Sequence, residues 1–280
     1  MDKLLIVDGM NLLFQMFYGM PARIVSREGK PIQGTLGFVG ALLKMIGMTE
    51  PTHIAVLFDG ECRNFRKDLD GTYKANRPDY SDMDEEDIPF SQLPDIYRAL
   101  DTLGICYKET SDCEADDWIA GYARSLDGMM DIVIASQDSD FFQLITQCVS
   151  VLRYRGRCSV FCDPEYIQDR FGILPEQYAD FKSMVGDAAD NIPGAHGIGV
   201  KTAALLLCQF GDLESIIEDV DQIAKPSIRK SVLENADRLR MNSRLIRLAG
   251  AGELPFSLED MRYVRSGMTT SQVLRAIGLR

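Results

Sequence analysis

Nine acidic side chains could carry chemistry in this chain: Asp8, Asp59, Glu114, Asp116, Asp117, Asp138, Asp140, Asp187 and Asp190. Three apolar runs, "KLLIVDG", "THIAVLFDG" and "MDIVIASQDSD", each end in one or two aspartates. "CEADD" places Glu114, Asp116 and Asp117 within four residues, and "GDAADN" sets Asp187 and Asp190 three apart. One aspartate after a strand is an ordinary turn or helix cap. Three strand ends that all present carboxylates exceed that need, and acids as close as 114–117 repel unless a cation stands between them. No histidine or cysteine joins the set, so its donors are all oxygen, which suits hard cations such as Mg²⁺ or Mn²⁺. Nine carboxylates are more than one octahedral ion can use. Two ions about 4 Å apart are the natural solution, an arrangement that ionises water and stabilises charge on a phosphate during in-line displacement. Some of the acids would then hold ion-bound waters instead of an ion.

A phosphate-attracting feature follows the last two acids. In "GDAADNIPGAHGIGVKTA", Gly197 and Gly199 precede Lys201 and Thr202 at the start of a helix. Such a turn lets backbone N–H groups approach a phosphate closely, and the lysine adds charge. Alone the pattern is weak. Beside the acids it would let one segment fix both the ions and a duplex backbone, since phosphate contacts position a nucleic acid without reading its sequence. Residues 60–80 are basic and aromatic, with Arg63, Phe65, Arg66, Lys67, Tyr73, Lys74 and Arg77, and are followed by the acidic "SDMDEEDIPF". Residues 62–92 are expected to form a mobile or partly ordered region over the sheet edge.

These groups need a frame. Apolar strands separated by helical segments predict a largely parallel α/β sheet, in which ligands bind at the carboxyl ends of the strands. Residues 110–126 read as a helix capped by Ser111 or Asp112. Residues 164–210 read as helices with short turns, and 211–247 as more helix. Between 225 and 247 seven basic residues face two acids, which predicts a helical half with a basic face. The last thirty residues carry no functional signal. The expected division is a catalytic α/β core over 1–160 and a helical duplex-binding subdomain over 161–280.

Composition sets the outer bounds. The 280 residues are 46% apolar and 26% charged, enough for a sizeable core. No apolar run approaches ~18 residues, so a soluble cytoplasmic protein with no membrane partner is expected. Seven cysteines without a Cys-x-x-Cys pair, and only two histidines, argue against zinc. The net charge of −12 argues by itself against a nucleic-acid partner. Two divalent ions would leave about −8, so the remaining acidity must lie away from any nucleic-acid track.

The motifs together resemble the bacterial and phage 5′ nucleases, or flap endonucleases, which include the N-terminal domain of DNA polymerase I. The matching stretches are "LLIVDGMNLLF", "VLFDG" with "FRKDLDGTYKANRP", "EADD", "ASQDSDFFQL" and "MVGDAADNIPGAHGIGVKTA", in the family's order and across about residues 3–210. The resemblance implies a PIN-like 5′ nuclease core with a mixed, largely parallel sheet, a helical arch and a helix–three-turn–helix. It implies metal-dependent hydrolysis of DNA at nicked or branched 5′ ends, in replication or repair, and, as no polymerase module follows, a stand-alone member; a monomer is the default expectation, since nothing in the sequence reads on oligomeric state. Asp8, Asp59, Glu114 and Asp116 match the acids of a first Mg²⁺ or Mn²⁺, and Asp138, Asp140, Asp187 and Asp190 those of a second, with Asp117 in or near the first set. Arg63, Arg66, Tyr73, Lys74 and Arg77 fall on the basic and aromatic stretch at the arch base, where Lys74 and Arg77 would stabilise charge on the reacting phosphate. Gly197, Gly199, Lys201 and Thr202 fall on the duplex-gripping hairpin, which in this family also holds K⁺. The acidic stretch of Asp79, Asp82, Asp84, Glu85, Glu86 and Asp87 departs from the basic character expected of an arch.

Two other readings are weaker. A branched-DNA-binding protein with little catalysis would lack second-site acids, and all are present. A phosphohydrolase using an aspartyl nucleophile needs an acid two residues after Asp8, where Met10 stands.

Overall fold

The computed structural model describes residues 2–20, 22–60, 65–77, 80, 83–250 and 252–279. Its sheet contains β1 (Lys3–Asp8), β2 (His53–Phe58), β3 (Cys106–Glu109), β4 (Asp131–Ala135), β5 (Val149–Arg153) and β6 (Val160–Cys162), in the order β3-β2-β1-β4-β5-β6. The first five are parallel and β6 runs antiparallel to β5. The sheet is mixed and largely parallel, as expected. A two-stranded ribbon of β7 (Gly186–Asp187) and β8 (Ile192–Pro193) stands apart from it.

Alternation along the buried strands divides the core in two. Leu4, Ile6, Ala55, Leu57, Ile132 and Ile134 point to one face, while Leu5, Val7, Ile54, Val56, Val133 and Ala135 point to the other. This is the period of two of a strand covered on both sides, and it explains why each run is continuously apolar. The helices are α1 (Gly9–Gly19), α2 (Gln33–Thr49), α3 (Phe65–Leu69), α4 (Leu93–Leu103), α5 (Ala115–Leu126), α6 (Pro164–Phe171), α7 (Tyr178–Val185), α8 (Val200–Phe210), α9 (Leu213–Glu218), α10 (Pro226–Ile246) and α11 (Thr270–Ala276). α1, α2, α4 and α11 cover one face. α5 covers the other, and its core continues through α7, α8, α9 and α10.

Three features refine or differ from the sequence reading, the first bearing on the region expected to be mobile or partly ordered. Residues 65–77 form α3 and a run of turns, and 85–92 form short 3-10 turns, so these described parts of the arch region are ordered against the core. Residues 261–279 do not stay with the helical half. Ile54 N–H donates to Met261 O (2.8 Å) and Tyr263 N–H to Thr52 O (2.9 Å), while Val273, Leu274 and Ile277 join the α2 side of the core. Part of the expected basic face on α10 is paired within the chain, largely at the surface. Arg229 donates to Ile223 O, Arg240 pairs with Glu214 (3.0 Å), Arg247 with Asp180 (2.6 Å) and Lys230 with Glu234 (3.6 Å). Among the described residues no helix is long and apolar enough to cross a membrane.

Candidate active site

The strand order places a switch point beside β1, where one connection leads to β2 and β3 and the later chain returns at β4. A crevice opens there at the carboxyl ends. Asp8 ends β1 and caps α1 by accepting from Asn11 N–H (3.0 Å). Its other oxygen accepts from the Ser136 hydroxyl (2.8 Å), whose oxygen accepts from Asp138 N–H (3.0 Å). Asp59 follows β2 and accepts from Ala115 N–H (2.8 Å), which makes it the cap of α5. Ser111 and Asp112 were expected in that role. The neighbouring strand delivers a carboxylate to the helix end instead, a long-range contact that local sequence does not reveal.

The carboxyls crowd one another. Burial, then Asp59, pushes Asp8 up to about 7. Burial raises Asp59 and holds Asp116 well above the ordinary carboxylate range, with Asp8, Asp59 and Asp138 adding repulsion on Asp116. Burial and then Asp138 push Asp140 up to about 7, and burial raises Asp190. Carboxylate oxygens of Asp140, Asp187 and Asp190 all lie within 4.8 Å of one another. Buried acids in this number cannot all ionise unless cations join them. An all-oxygen set of this kind fits divalent Mg²⁺ or Mn²⁺.

Some of the nine acids already have protein cations. The Arg66 guanidinium, 1% exposed, forms a fork on Asp117 (3.0 and 2.9 Å), reaches Glu114 Oε2 (2.7 Å) and donates through Nε to Leu245 O (3.0 Å). Lys74 Nζ takes Glu114 Oε1 (2.7 Å). Glu114 and Asp117, expected among the metal acids, are paired with Arg66 and Lys74 in this structure, as Asp140, Asp187 and Asp190 are paired with Lys182 and Arg77. Arg66 and Tyr73, both expected to meet DNA, are buried in this structure, 1% and 4% exposed. Lys182, which the sequence reading missed, is buried on α7, donates to Asp140 and stands 2.7 Å from Asp187. Burial works against its ammonium, but Asp140, Asp138 and Asp187 raise it overall. The available signal was a lone lysine inside the apolar "DFKSMV" ahead of Asp187.

The loop carrying Asp187 and Asp190 is closed by the β7–β8 ribbon. Gly186 has φ +91°, and a Cβ on Gly194 would lie 2.3 Å from Val185 O, so both glycines are required for the tight return. The turn at 72–77 is clamped onto this loop. Lys74 N–H donates to Asp190 O (3.0 Å), Asn76 Nδ2 to Ala188 O (2.9 Å) and Asn191 Nδ2 to Thr72 O (2.9 Å), while Arg77 pairs with Asp190 (3.3 Å). Lys74 and Asn191 both adopt positive φ, +56° and +59°. Non-glycine residues hold that conformation only where the surroundings impose it.

Between these elements lies a cleft of about 520 Å³. Asp8, Asp59, Asp116 and Asp138 form its floor, and Lys74 and Arg77 one side. An aromatic cluster also lines it: Phe14, Tyr18, Tyr80 and Phe90, with ring centroids 5.5–6.2 Å apart in successive pairs. The sequence reading overlooked this cluster, because α1 and the 80–90 segment meet only in the fold. Arg23 ties the acidic stretch down through Glu86 (3.0 Å) and Asp87 (2.9 Å). Arg63 lies outside the described residues.

The glycine turn is exposed. Gly197 has φ +76°, Gly199 is the N-cap of α8, and Lys201 and Thr202 lie in that helix's first turn. Ala195 N–H donates to Met184 O (2.9 Å) and the Ser231 hydroxyl to His196 O (2.6 Å), which fixes the turn to α7 and α10.

Comparison with known proteins agrees with this geometry. Residues 3–172 match the family model described as "5'-3' exonuclease, N-terminal resolvase-like domain", and residues 173–268 match "5'-3' exonuclease, C-terminal SAM fold". DNA polymerase I of Rhizobium leguminosarum is 38% identical over 270 residues, 93% of this chain and 26% of the relative. DNA polymerase I of Bacillus subtilis is 32% identical over 276 residues, 97% of this chain and 30% of the relative. The chain thus spans between a quarter and a third of the length of these two relatives. The D15 protein of bacteriophage T5, co-crystallised with metal ions, superposes with a TM-score of 0.72 at 25% identity, over 88% of this chain and 89% of that one. The catalytic core of Rad2 in complex with a DNA substrate shares the fold, with a TM-score of 0.61 at 16% identity, over 99% and 93%.

Proposed function

The chain belongs to the 5′-3′ exonuclease family, and on that premise we propose that it is a metal-dependent 5′ nuclease hydrolysing DNA phosphodiesters near 5′ ends and flap junctions. The observation that carries this reading is the crowd of buried carboxylates at the switch point, raised by burial and mutual repulsion, facing Lys74 and Arg77 across one cleft. Two Mg²⁺ or Mn²⁺ ions would be held, one by Asp8, Asp59, Glu114 and Asp116 with Asp117 nearby, the other by Asp138, Asp140, Asp187 and Asp190; Asp138 also lines the cleft with Asp8, Asp59 and Asp116. Bound there, they supply ionisation of the attacking water and charge stabilisation on the phosphate.

The chain's own residues do the rest. Glu114 orients the Lys74 ammonium and Asp190 the Arg77 guanidinium, so both cations are preset toward the cleft. Aimed where charge develops, they stabilise the transition state more than the bound substrate. Phe14, Tyr18 and Tyr80 offer ring faces against which bases of an unpaired 5′ strand stack without regard to sequence. Gly197, Gly199, Lys201 and Thr202 receive the duplex backbone at the start of α8, a turn that also suits K⁺. β8 runs directly into this turn, so the duplex grip and the Asp187 loop are consecutive in the chain and tied together at α7 by Ala195 N–H to Met184 O.

Cleavage of a labelled 5′-flap duplex with Mg²⁺, Mn²⁺ or EDTA tests the reading. We expect metal-dependent cutting near the junction, reduced at least about tenfold in Asp187→Ala. Binding without cutting in either metal favours a protein that only recognises branched DNA. Lys74→Ala is expected to slow single-turnover cleavage about 100-fold while weakening substrate binding by less than about threefold. An unchanged single-turnover rate removes Lys74 from the reaction.

A further inference from the structure

Lys182 has no task in that reaction. It sits on α7 between Phe181, Ser183 and Met184, all buried, so helix packing drives its side chain inward. Its ammonium bonds to Asp140 and lies 2.7 Å from Asp187 Oδ2, and the residue as a whole is 8% exposed. Those are two of the three carboxylates that converge within 4.8 Å. A divalent ion joining this group therefore meets three acids and one ammonium built into the protein.

We propose that Lys182 is a resident counter-charge of the Asp140–Asp187–Asp190 group, a positioning residue that keeps the acids together and lowers their affinity for a divalent ion. The inference rests on the divalent-ion reading given above. Repulsion between like charges is strong in a buried site, so the ammonium opposes the ion directly. A lysine, on a flexible four-carbon stem, can withdraw when an ion arrives. The second ion would then bind more weakly than the donor set alone dictates, and the group would stay folded when divalent ions are scarce.

The test is Mn²⁺ binding to the whole chain, followed by the electron-paramagnetic resonance of free Mn²⁺, for wild type, Lys182→Met, Lys182→Gln and Lys182→Arg. Methionine keeps the length and apolar packing, glutamine keeps a polar tip, and arginine keeps the charge. Loss of the charge in either of the first two is expected to tighten the weaker Mn²⁺ site at least tenfold, and Lys182→Arg to retain the wild-type isotherm. In EDTA the thermal midpoints of the uncharged variants should fall below wild type, and saturating Mn²⁺ should close that gap. Either uncharged variant suffices if the other does not fold. An unaltered or weaker Mn²⁺ isotherm, with a midpoint that stays low at every Mn²⁺ concentration, makes Lys182 a packing residue and overturns the proposal. A wild type that binds no Mn²⁺ instead removes the divalent-ion reading beneath it.

Discussion

Arg66→Ala should destabilise the protein by about 3–5 kcal/mol, because it leaves buried carboxylates without their cation. Arg66 joins three distant elements: α3 at the arch base, Glu114 and Asp117 at the start of α5, and the end of α10 through Leu245 O. The fork on Asp117 satisfies both oxygens of a carboxylate that is 4% exposed. Without the guanidinium, the buried Asp117 carboxylate loses its cation, and the three elements lose their common tie. A loss of that size lowers the thermal midpoint by about 10 °C in a chain of this length. Replacing the pair with apolar residues, Arg66→Met with Asp117→Leu, should recover much of the loss, since a buried ion pair is dispensable when both partners leave together. Urea or thermal unfolding of the two variants decides it. A single variant as stable as wild type but weaker on flap DNA would return Arg66 to the strand-contacting role expected from sequence.

The second large effect is a reversed response of stability to pH. Asp8 and Asp140 are pushed up to about 7 in the folded chain from an ordinary 3.8, and Asp59, Asp116 and Asp190 shift the same way. Between about pH 4 and pH 7 the folded state holds protons that the unfolded chain has released, so stability falls as pH rises through that window. Asp70, Asp212 and Asp260 are lowered and act oppositely, but they titrate below it. In EDTA the thermal midpoint should therefore drop by roughly 5–10 °C from pH 5 to pH 7.5. Saturating Mg²⁺ binds the ionised acids of the folded state alone and should shrink or reverse that drop. Scanning fluorimetry across pH, with EDTA and with Mg²⁺, measures both slopes. Identical slopes would mean that these acids do not bind the ion.

Much of this protein was settled by sequence alone, and for a local reason. Asp8, Asp59 and Asp138 each follow a run of apolar residues, so wherever the sheet forms they must emerge at its carboxyl end. Asp187 and Asp190 belong to one short loop whose closure depends on Gly186 and Gly194, a few residues away. The parallel sheet, the gathering of acids and the exposed glycine turn before α8 follow from chain neighbours and from strand and helix periods. What sequence could not decide is which cation meets which acid. Glu114 holds Lys74 and Arg66 from 40 and 48 residues away, Asp117 is claimed by the same arginine, and Lys182 reaches back to Asp140 across 42. The aromatic cluster needs α1 beside the 80–90 segment, and the last residues needed α2 and β2 to show that they close the core. Charge type and spacing are properties of the chain. Pairing depends on burial and on approach within about 3 Å, and only the folded packing of distant segments supplies these.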